Sequence, residues 1–268
     1  MMDTVLSKIL KLVVRTPAYP YWLEEYKKRK AYEHLLTDIS GKVLEVGAGD
    51  GSRKIELLRR CPAIKKYEAT DYSSWDGEFE KINGWINKYG TLAEVSLGFK
   101  KRKLDRVCSA TNLPYKDNSF DYHLSFSVLE HIADPEKYFS EAARVVKKGG
   151  YILVSVPFLY RIHGGEPEHR LDYFRYAHGF FHEMAERNGL KLTEIYINGG
   201  FGTSFASLTN QYLIRRIFES NSLVRIPLLL VSPFVFVSTN ALGFILDLKP
   251  DKRFPTNIHV KFQKLGKR

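Results

Sequence analysis

The stretch Lys42-Val43-Leu44-Glu45-Val46-Gly47-Ala48-Gly49-Asp50-Gly51 decides how this chain folds. Its first half is a short apolar run typical of a buried strand, and its second half is a glycine-rich turn. Residues 54–60 follow with helical spacing, so the turn joins a strand to a helix. Glycine suits such a turn because its backbone bends sharply and can lie against a ligand, to which the helix N-terminus presents N–H groups.

An acidic residue, Asp71, ends the next predicted strand at 67–70. In nucleotide-binding α/β proteins, an acidic side chain at this point binds the ribose hydroxyls. The dinucleotide fingerprint G-x-G-x-x-G is not met, because the third glycine comes one residue early and Ser52 stands in its place. Glu45, two residues before the first glycine, would repel a pyrophosphate and suits a ligand with a positive end. The loop therefore predicts a nucleoside ligand other than NAD.

Strands and helices alternate around this motif. Further strands are predicted at 104–108, 121–126, 151–156, 190–197 and 258–265, and further helices at 135–148 and 177–188. Gly149-Gly150 acts as a stop signal for the helix at 135–148. Such alternation is typical of βαβ units and of a mainly parallel sheet, here within one domain.

The composition is that of an ordinary globular protein, with 44% hydrophobic and 26% charged residues in a chain of 268. These values exclude a disordered chain, a fibre and a coiled coil. Two cysteines, Cys61 and Cys108, are too few for a disulfide framework and predict buried thiols in a reducing, cytoplasmic compartment. The net charge of +11 is concentrated at 100–103 and after Asp247, and indicates either an anionic partner or a solvated basic face.

Four spaced motifs resemble those of class I S-adenosylmethionine-dependent methyltransferases, in the branch of the ubiquinone and menaquinone biosynthesis enzymes. They are E-x-G-x-G-x-G at 45–51, A-x-x-L-P-Y-x-D-x-S-F-D at 110–121, V-L-E-H-I at 128–132 and E-x-x-R-V-V-K-K-G-G at 141–150. The resemblance implies an α/β, Rossmann-like fold: a seven-stranded, mainly parallel sheet with helices on both faces and an antiparallel last strand. It also implies S-adenosylmethionine as the cofactor.

The expected organisation has four parts. Residues 1–40 form an N-terminal helical cap, 41–198 the methyltransferase core, 199–256 an apolar helical insertion, and 257–268 the final strand with a basic tail.

The resemblance assigns a set of residues to the cofactor. The glycines would enclose its methionine part, Glu45 would orient their loop and favour the ammonium group, and Asp71 would bind the ribose hydroxyls. Tyr72 would lie beside the adenine, to which Ala110 would offer its N–H group. The full set is Glu45, Gly47, Ala48, Gly49, Gly51, Asp71, Tyr72, Ser109, Ala110 and Phe126.

Two departures from the family pattern accompany this assignment. Ser109 replaces the usual Asp that accepts a hydrogen bond from the adenine amino group, so we expect weaker cofactor binding or a substitute group. The segment between Asp71 and Ser109 is longer than is usual, and with Trp75 and Trp85 it is expected to act as a substrate lid.

Candidate catalytic residues follow the fourth and fifth strands, because ligands bind beyond the carboxyl ends of parallel strands. Removing a hydroxyl proton during O-methylation suits an imidazole. His131, His163 and His169 are the candidate bases, and Asp172 could orient one of them. The alternatives are that His131 caps a helix or holds the loop, and that His163 and His169 are solvated loop residues.

The stretch 172–176, Asp-Tyr-Phe-Arg-Tyr, more loosely resembles an element of methyltransferases of surface-glycan and lipid-linked saccharide synthesis. Tyr173 and Arg175 are therefore expected to bind the acceptor. Arg175 could pair with a phosphate or carboxylate, although an internal salt bridge is an equal alternative. No metal is predicted: some quinone-pathway relatives bind one through the L-E-H motif, but Ser127 stands here in place of an upstream acid.

Residues 223–246, LVRIPLLLVSPFVFVSTNALGFIL, form a long apolar stretch. Its length could span a bilayer, but Arg225, Pro227, Pro233 and Asn240 interrupt it. A span would also separate the final strand from the sheet that it must join. We expect peripheral association with anionic membranes, aided by the basic tail, and a helical lid over the crevice is the alternative.

The sequence therefore predicts methyl transfer to a small or lipid-linked acceptor, at an oxygen of a glycan or lipid intermediate. The enzyme would work in the cytoplasm or on the inner face of the membrane. Three alternatives remain open. The net charge favours a tRNA or other nucleic-acid methyltransferase. The apolar stretch favours a quinone-type C-methyltransferase, and Ser109 favours a non-catalytic cofactor-binding module.

Overall fold

The computed structural model describes residues 13–49, 51–72, 104–163 and 171–266. Seven strands within them form one sheet: β1 Gly41–Val46, β2 Ile64–Asp71, β3 Arg106–Val107, β4 Phe120–Phe126, β5 Val146–Pro157, β6 Leu190–Asn198 and β7 Asn257–Lys264. The helices in the described part are α1 Trp22–Leu35, α2 Ser52–Arg60, α3 Pro135–Val145, α4 His178–Arg187, α5 Phe201–Glu219 and α6 Ser222–Leu246.

The strand order across the sheet is β3-β2-β1-β4-β5-β7-β6. Strands β1 to β5 are parallel to one another, whereas β7 is antiparallel to both of its neighbours, β5 and β6. The carboxyl ends of β1, β2, β4, β5 and β6 therefore meet at one edge of the sheet. This architecture confirms the seven-stranded, Rossmann-like fold with an antiparallel last strand that the motifs imply.

Apolar side chains cover both faces of the sheet. Tyr138, Phe139 and Phe181 belong to the larger core cluster, which packs against β4, β5 and β7. Leu36 and Leu57 belong to a second cluster with residues of β1, β2 and β4. Because its central strands are buried on both faces, the sheet holds the loops at its carboxyl edge on a rigid base.

Helix α3 ends earlier than its sequence pattern predicts. Asp134 caps its N-terminus by accepting a hydrogen bond from the Lys137 N–H at 2.9 Å, but the helix stops at Val145 rather than at residue 148. Val146 is buried and already pairs with Phe120, so the chain has entered β5 before it reaches the two glycines. Burial of Val146 outweighs the local helical preference, and Gly149 and Gly150 lie within the strand.

Helices α5 and α6 form a hairpin between β6 and β7, where the sequence predicts the apolar insertion. Asp247, directly after α6, closes the root of this hairpin. Its buried carboxylate accepts hydrogen bonds from the N–H groups of Gly200, Gly202 and Thr203 at 3.0, 2.8 and 3.0 Å, at the N-terminus of α5. A negative charge is stabilised at this end of a helix. In the described part of the chain, α6 is the one helix long and apolar enough to cross a membrane.

Candidate functional site

A cleft of about 510 Å³ opens at the carboxyl edge of the sheet, beyond β1, β2 and β4. It brings together residues that the sequence assigned to the cofactor, to catalysis and to the acceptor. The predicted residues that line it are Gly47, Gly49, Asp71, Tyr72, Ser109, Ala110, His131 and Tyr173. Val46, Cys108, Thr111, Ser127, Val128, Ile132, Ala133, Asp134 and Leu171 complete its described lining.

The glycine loop forms the floor of the cleft because its backbone adopts conformations that other residues avoid. Gly47 and Gly49 have φ values of +69° and +57°. A Cβ on Gly47 would come within 2.2 Å of Val128 Cγ2, so no side chain fits there. A Cβ on Gly49 would meet no atom within 4 Å, because this residue borders open space. A ligand can therefore approach the backbone of the loop directly.

Asp71 joins the glycine loop to the end of β2. Its Oδ2 accepts a hydrogen bond from the Gly49 N–H at 2.9 Å, and its Oδ1 accepts one from the Tyr72 N–H at 2.7 Å. The residue is 93% buried by this packing, with 7% of its surface exposed, yet it lines the cleft. The carboxylate is thus held in one orientation at the cleft wall.

Glu45 supports the loop without lining the cleft. Its buried carboxylate accepts a hydrogen bond from the Tyr67 hydroxyl at 2.9 Å and lies 3.2 Å from the Arg53 Nε atom. Ala48 and Gly51 are likewise part of the loop's framework. The Ala48 N–H donates to the Thr70 carbonyl at 2.9 Å, and Gly51, with φ +69°, precedes α2.

Phe126 packs in the core beside the cleft, and its predicted contact with the cofactor stays a prediction. It belongs to the core cluster with Leu124, and the Arg53 guanidinium carbon lies 3.8 Å from its ring centroid. Successive side chains of a strand point to opposite faces, and Phe126 follows the alternation of β4 into the core. Ser127 and Val128, just beyond the strand, line the cleft instead.

Ser109 and Ala110 lie at the cleft wall, as the resemblance implies. The Ser109 hydroxyl is 2.9 Å from the Thr111 hydroxyl and accepts a hydrogen bond from the Thr111 N–H at 3.2 Å. The Ser109 side chain therefore stabilises the turn at 109–111. Thr111, which the sequence analysis did not single out, provides a second hydroxyl group at the same wall of the cleft.

His131 lies in a 3-10 turn, Leu129–His131, that follows β4. Its Nδ1 is 2.6 Å from the carbonyl oxygen of Leu171. A carbonyl only accepts hydrogen bonds, so Nδ1 carries a proton, and in the neutral form of the ring the lone pair lies at Nε2. The fold thus fixes the tautomer of a histidine that lines the cleft.

Glu130, which the sequence noted only as part of a motif, lies beside this histidine. It is 0% exposed, and neither carboxylate oxygen has a hydrogen-bond partner among the described residues. Its Oε1 is 3.7 Å from His131 Nε2 and 3.8 Å from His163 Nε2. Burial raises the pKa of Glu130 to about 8, because a charged carboxylate is costly away from water.

Asp172 contacts His163, and the orienting role that the sequence proposed for it stays a prediction. Its Oδ2 accepts a hydrogen bond from the His163 backbone N–H at 2.7 Å and lies 3.4 Å from the ring Nδ1. Burial and the neighbouring His131 lower the pKa of His163 to about 4, so its ring is neutral at pH 7. The imidazole rings of His131 and His163 make an edge contact at 4.8 Å between centroids. His169 lies outside the described residues.

Arg175 is engaged within the protein, as the alternative reading of the sequence held. Its guanidinium forms a two-pronged ion pair with Asp172, with Nη2 donating to Oδ2 at 2.8 Å, and Nη2 also donates to the Arg161 carbonyl at 3.0 Å. Although burial disfavours its charge, Asp172 is kept at a pKa of about 2 chiefly by these hydrogen bonds from Arg175. The internal salt bridge is therefore present, and acceptor binding by Arg175 stays a prediction.

Glu130, His131 and His163 could together hold a metal ion. One ligand atom from each lies within 4.8 Å of the other two. Two imidazoles and a carboxylate form a donor set that suits a divalent transition metal. The expectation of no metal, which rested on Ser127, stays a prediction.

Comparisons with known proteins agree with this geometry. Residues 44–154 match the family model described as a methyltransferase domain. A ubiquinone/menaquinone biosynthesis C-methyltransferase of Rickettsia akari is 26% identical over 129 residues, which are 48% of this chain and 47% of that protein. The chain spans about half the length of the curated relatives that it matches.

Two solved structures share the fold. A phosphoethanolamine N-methyltransferase of Haemonchus contortus, solved with S-adenosylhomocysteine, has a TM-score of 0.50 and 16% identity, covering 90% of this chain and 53% of that one. A geranyl diphosphate C-methyltransferase of Streptomyces coelicolor also has a TM-score of 0.50, with 13% identity over 88% of this chain and 77% of that one.

Proposed function

The chain carries a class I S-adenosylmethionine-dependent methyltransferase domain, and we propose that it methylates an oxygen of a glycan or lipid intermediate. The observation that carries this proposal is the pair of Glu130 and His131, which places a histidine with a fixed tautomer at the cleft wall and a buried carboxyl group 3.7 Å from its Nε2 atom. Such a pair suits removal of a hydroxyl proton.

The cleft fits the cofactor. Gly49 leaves the backbone of the loop open to the methionine part, and the carboxylate of Asp71 is held where the ribose hydroxyls are expected. Tyr72 and Ala110 line the side of the cleft assigned to the adenine. When bound, S-adenosylmethionine supplies a methyl group on a positively charged sulfur, which is already a reactive electrophile.

His131 supplies the proton acceptor that an alcohol requires. Its Nε2 lone pair can take the hydroxyl proton, because Nδ1–H is occupied by the Leu171 carbonyl. The positive charge that forms on His131 favours the ionised form of Glu130, whose pKa burial otherwise raises to about 8 and whose Oε1 lies 3.7 Å from Nε2. The cleft contributes by aligning the acceptor oxygen with the methyl group, since positioning provides much of the rate enhancement in such reactions.

The charges of the cleft favour an acceptor whose reacting end is neutral. Among the described lining residues the ionised side chains are Asp71 and Asp134, and none is Lys or Arg. Arg175, the candidate cation, is paired with Asp172. A sugar or lipid hydroxyl meets this lining without repulsion, whereas a phosphate would lie beside carboxylates.

A quinone-type C-methylation is the second candidate. The same histidine could deprotonate a phenol and so activate the adjacent ring carbon. The similarity to the ubiquinone/menaquinone biosynthesis C-methyltransferase and the exposed apolar hairpin favour it. The two candidates differ in the atom that receives the methyl group.

The test uses S-adenosylmethionine carrying a 13C- or 14C-labelled methyl group, added with the protein to lipid, glycan, RNA and protein fractions of a cell extract. We expect label in a lipid or glycan product, with the methyl carbon bonded to oxygen by NMR. A carbon-bonded methyl group would favour the second candidate, and label confined to RNA would contradict both.

Substitution of His131 tests its role as the base separately from cofactor binding. His131→Asn should lower kcat by about a hundredfold or more, the usual contribution of a general base, without weakening cofactor binding. The matched control is His182→Asn, which alters an exposed histidine on α4. Equal rates for wild type and His131→Asn would remove His131 from the reaction.

A further inference from the structure

The α5–α6 hairpin has an arrangement opposite to that of an ordinary soluble helix pair. The buried positions of α6 are mostly small or polar: Ser232, Phe236, Thr239, Asn240 and Gly243. Its exposed positions are large and apolar, with Leu223 86%, Leu230 69% and Phe234 74% exposed. Helices of soluble proteins turn their apolar stripe inward, so the outward face of α6 requires a partner that is itself apolar.

Hydrogen bonds fix α6 in this orientation. The Thr239 hydroxyl donates to Asn210 Oδ1 on α5 at 2.7 Å. Asn240 Nδ2 donates to the carbonyl oxygens of Pro17 and Tyr19 at 2.8 and 3.0 Å. Rotating the helix to bury its apolar face would break these bonds and leave polar groups without partners, at a cost in free energy. The outward apolar face is therefore a stable feature of the fold.

Basic side chains lie near both ends of this face, and α6 itself contains no acidic residue. Arg216 is exposed near the hairpin turn, where Arg215 is paired with Glu219 at 2.6 Å, and Lys249 and Lys252 are exposed beyond the other end. Arg225 is held at the turn, where its guanidinium donates to the carbonyls of the preceding residues, including that of Ser220 at 2.7 Å. An apolar face between two basic ends complements a surface with a hydrocarbon interior and anionic head groups.

The hairpin adjoins the cleft side of the sheet. Strands β5 and β6 both run antiparallel to β7, so α5 begins at the edge where the cleft opens. The chain that returns from α6 bonds to the loop after β5: the Phe158 N–H donates to the Thr256 carbonyl at 2.7 Å, and the Leu159 N–H to the Pro255 carbonyl at 3.1 Å. That loop continues to His163.

We infer that the outward face of α6 binds the surface of an anionic bilayer, with the helix lying in the plane of the membrane. Its 25 residues, about 37 Å long, would enter the boundary between head groups and acyl chains. Crossing the bilayer would carry the polar contacts of Asn240 and the loop at 17–19 into hydrocarbon, where they are unfavourable. An acceptor delivered at this surface would be lipid-linked, and this part of the inference rests on the proposed function. Membrane binding by α6 does not depend on the proposed function.

Flotation of the full chain with lipid vesicles tests this inference. We expect the protein to float with vesicles of phosphatidylcholine and phosphatidylglycerol, and to float much less with phosphatidylcholine alone. Raising the salt from about 0.05 M to about 0.5 M should release it, because exposed charges are screened over shorter distances. Carbonate should release it as well, unlike a spanning helix.

Two variants locate the binding surface. Leu230→Asp/Phe234→Asp should lower the vesicle partition coefficient by about tenfold or more, because it removes apolar burial from the centre of the face. The control, Ile55→Asp, alters a side chain on α2 that is 72% exposed, and it should bind vesicles like the wild type. Lys249→Glu/Lys252→Glu should reduce the preference for anionic vesicles.

Other outcomes would overturn the inference. If no vesicle floats the protein at low salt, and light scattering shows a dimer that the Leu230→Asp/Phe234→Asp variant converts to a monomer, a second copy covers the face. Equal partition of that variant and the wild type would place membrane binding elsewhere. Calorimetry with S-adenosylmethionine on the same variants reports the cofactor site separately, so a failure of membrane binding is distinct from a failure of the proposed function.

Discussion

The backbone N–H of Gly49 donates a hydrogen bond of 2.9 Å to Oδ2 of Asp71, which joins the glycine loop to the end of the neighbouring strand. One carboxylate therefore holds the loop in place and borders the ligand space. A substitution at Asp71 should affect both the geometry of the loop and cofactor binding. A substitution within the loop leaves the Asp71 carboxylate in place at the cleft.

Asp71→Ala is expected to weaken S-adenosylmethionine binding by about a hundredfold or more. It removes hydrogen bonds from the carboxylate to the ribose, each worth about 1.5–3 kcal/mol when one partner is charged. Isothermal titration calorimetry measures the affinity, and Asp38→Ala, at an exposed position, is the control. Unchanged affinity in Asp71→Ala would contradict the assignment, as would NAD binding by the wild type.

Ser109→Asp is expected to tighten cofactor binding by about fivefold, the equivalent of one hydrogen bond of about 1 kcal/mol. A carboxylate could still close the turn to Thr111 with one oxygen and accept from the adenine amino group with the other. Calorimetry on Ser109→Asp and on the neutral Ser109→Asn separates the effect of the added charge on cofactor affinity from the effect of the side-chain shape. Weaker binding in both variants would show that Thr111 or another group already occupies this position.

Glu130→Gln tests the protonation of the buried carboxyl group. The folded protein holds the pKa of Glu130 at about 8, above its ordinary value of 4.5, so folding favours the protonated form. Its contribution to stability is present below pH 4.5 and is lost as the pH rises toward 8. Relative to Glu130→Gln, the wild type should lose up to about 1.4 kcal/mol per pH unit in this window.

Urea unfolding of both proteins at several pH values measures this difference. A difference that does not change with pH would mean that Glu130 is already ionised in the folded protein, held by a cation or by a protonated histidine.

His123→Leu is expected to make the protein more resistant to acid. His123 is fully buried on β4, neither ring nitrogen has a hydrogen-bond partner among the described residues, and burial lowers its pKa to about 4. A histidine whose folded pKa is lowered contributes stability above its ordinary pKa of 6.5, and this stability is lost as the pH falls toward 4.

Circular dichroism during an acid titration should show a lower unfolding midpoint for His123→Leu than for the wild type. The control is His182→Leu at an exposed position. An unchanged midpoint would show that other groups, such as the buried His259, govern acid unfolding.

Gly243→Ala should destabilise the hairpin. A Cβ at Gly243 would lie 2.5 Å from the backbone oxygen of Gly202, which is too close unless α5 and α6 move apart. We expect a loss of about 1–3 kcal/mol in the free energy of unfolding, measured by denaturant titration. Gly179→Ala in α4, where a Cβ meets no atom within 4 Å, should be neutral or stabilising. Equal effects of the two substitutions would argue against close packing of α5 on α6.

The parts of the site that sequence predicts well depend on local geometry. The strand, the glycine turn and Asp71 follow from short-range rules, because a strand–turn–helix unit dictates where its loop and the end of the next strand lie. Glu130 and Arg175 depend on distant contacts instead. The backbone of Glu130 is bonded to the distant Tyr173 N–H at 2.9 Å, and Arg175 is paired with Asp172 and with the Arg161 carbonyl. Phe126 packs in the core, a placement that depends on strand register, because one residue of register decides which face a side chain meets.

Strand β7 lies between β5 and β6, although it follows the apolar hairpin in the chain. During synthesis, therefore, β6 and the whole of α6 leave the ribosome before the strand that attaches β6 to the sheet exists. Until residues 257–264 emerge, β5 has an open edge and the hairpin has no completed domain beside it. The order of translation thus exposes the most apolar segment before the sheet is complete, so a membrane or chaperone can already shield it on the nascent chain.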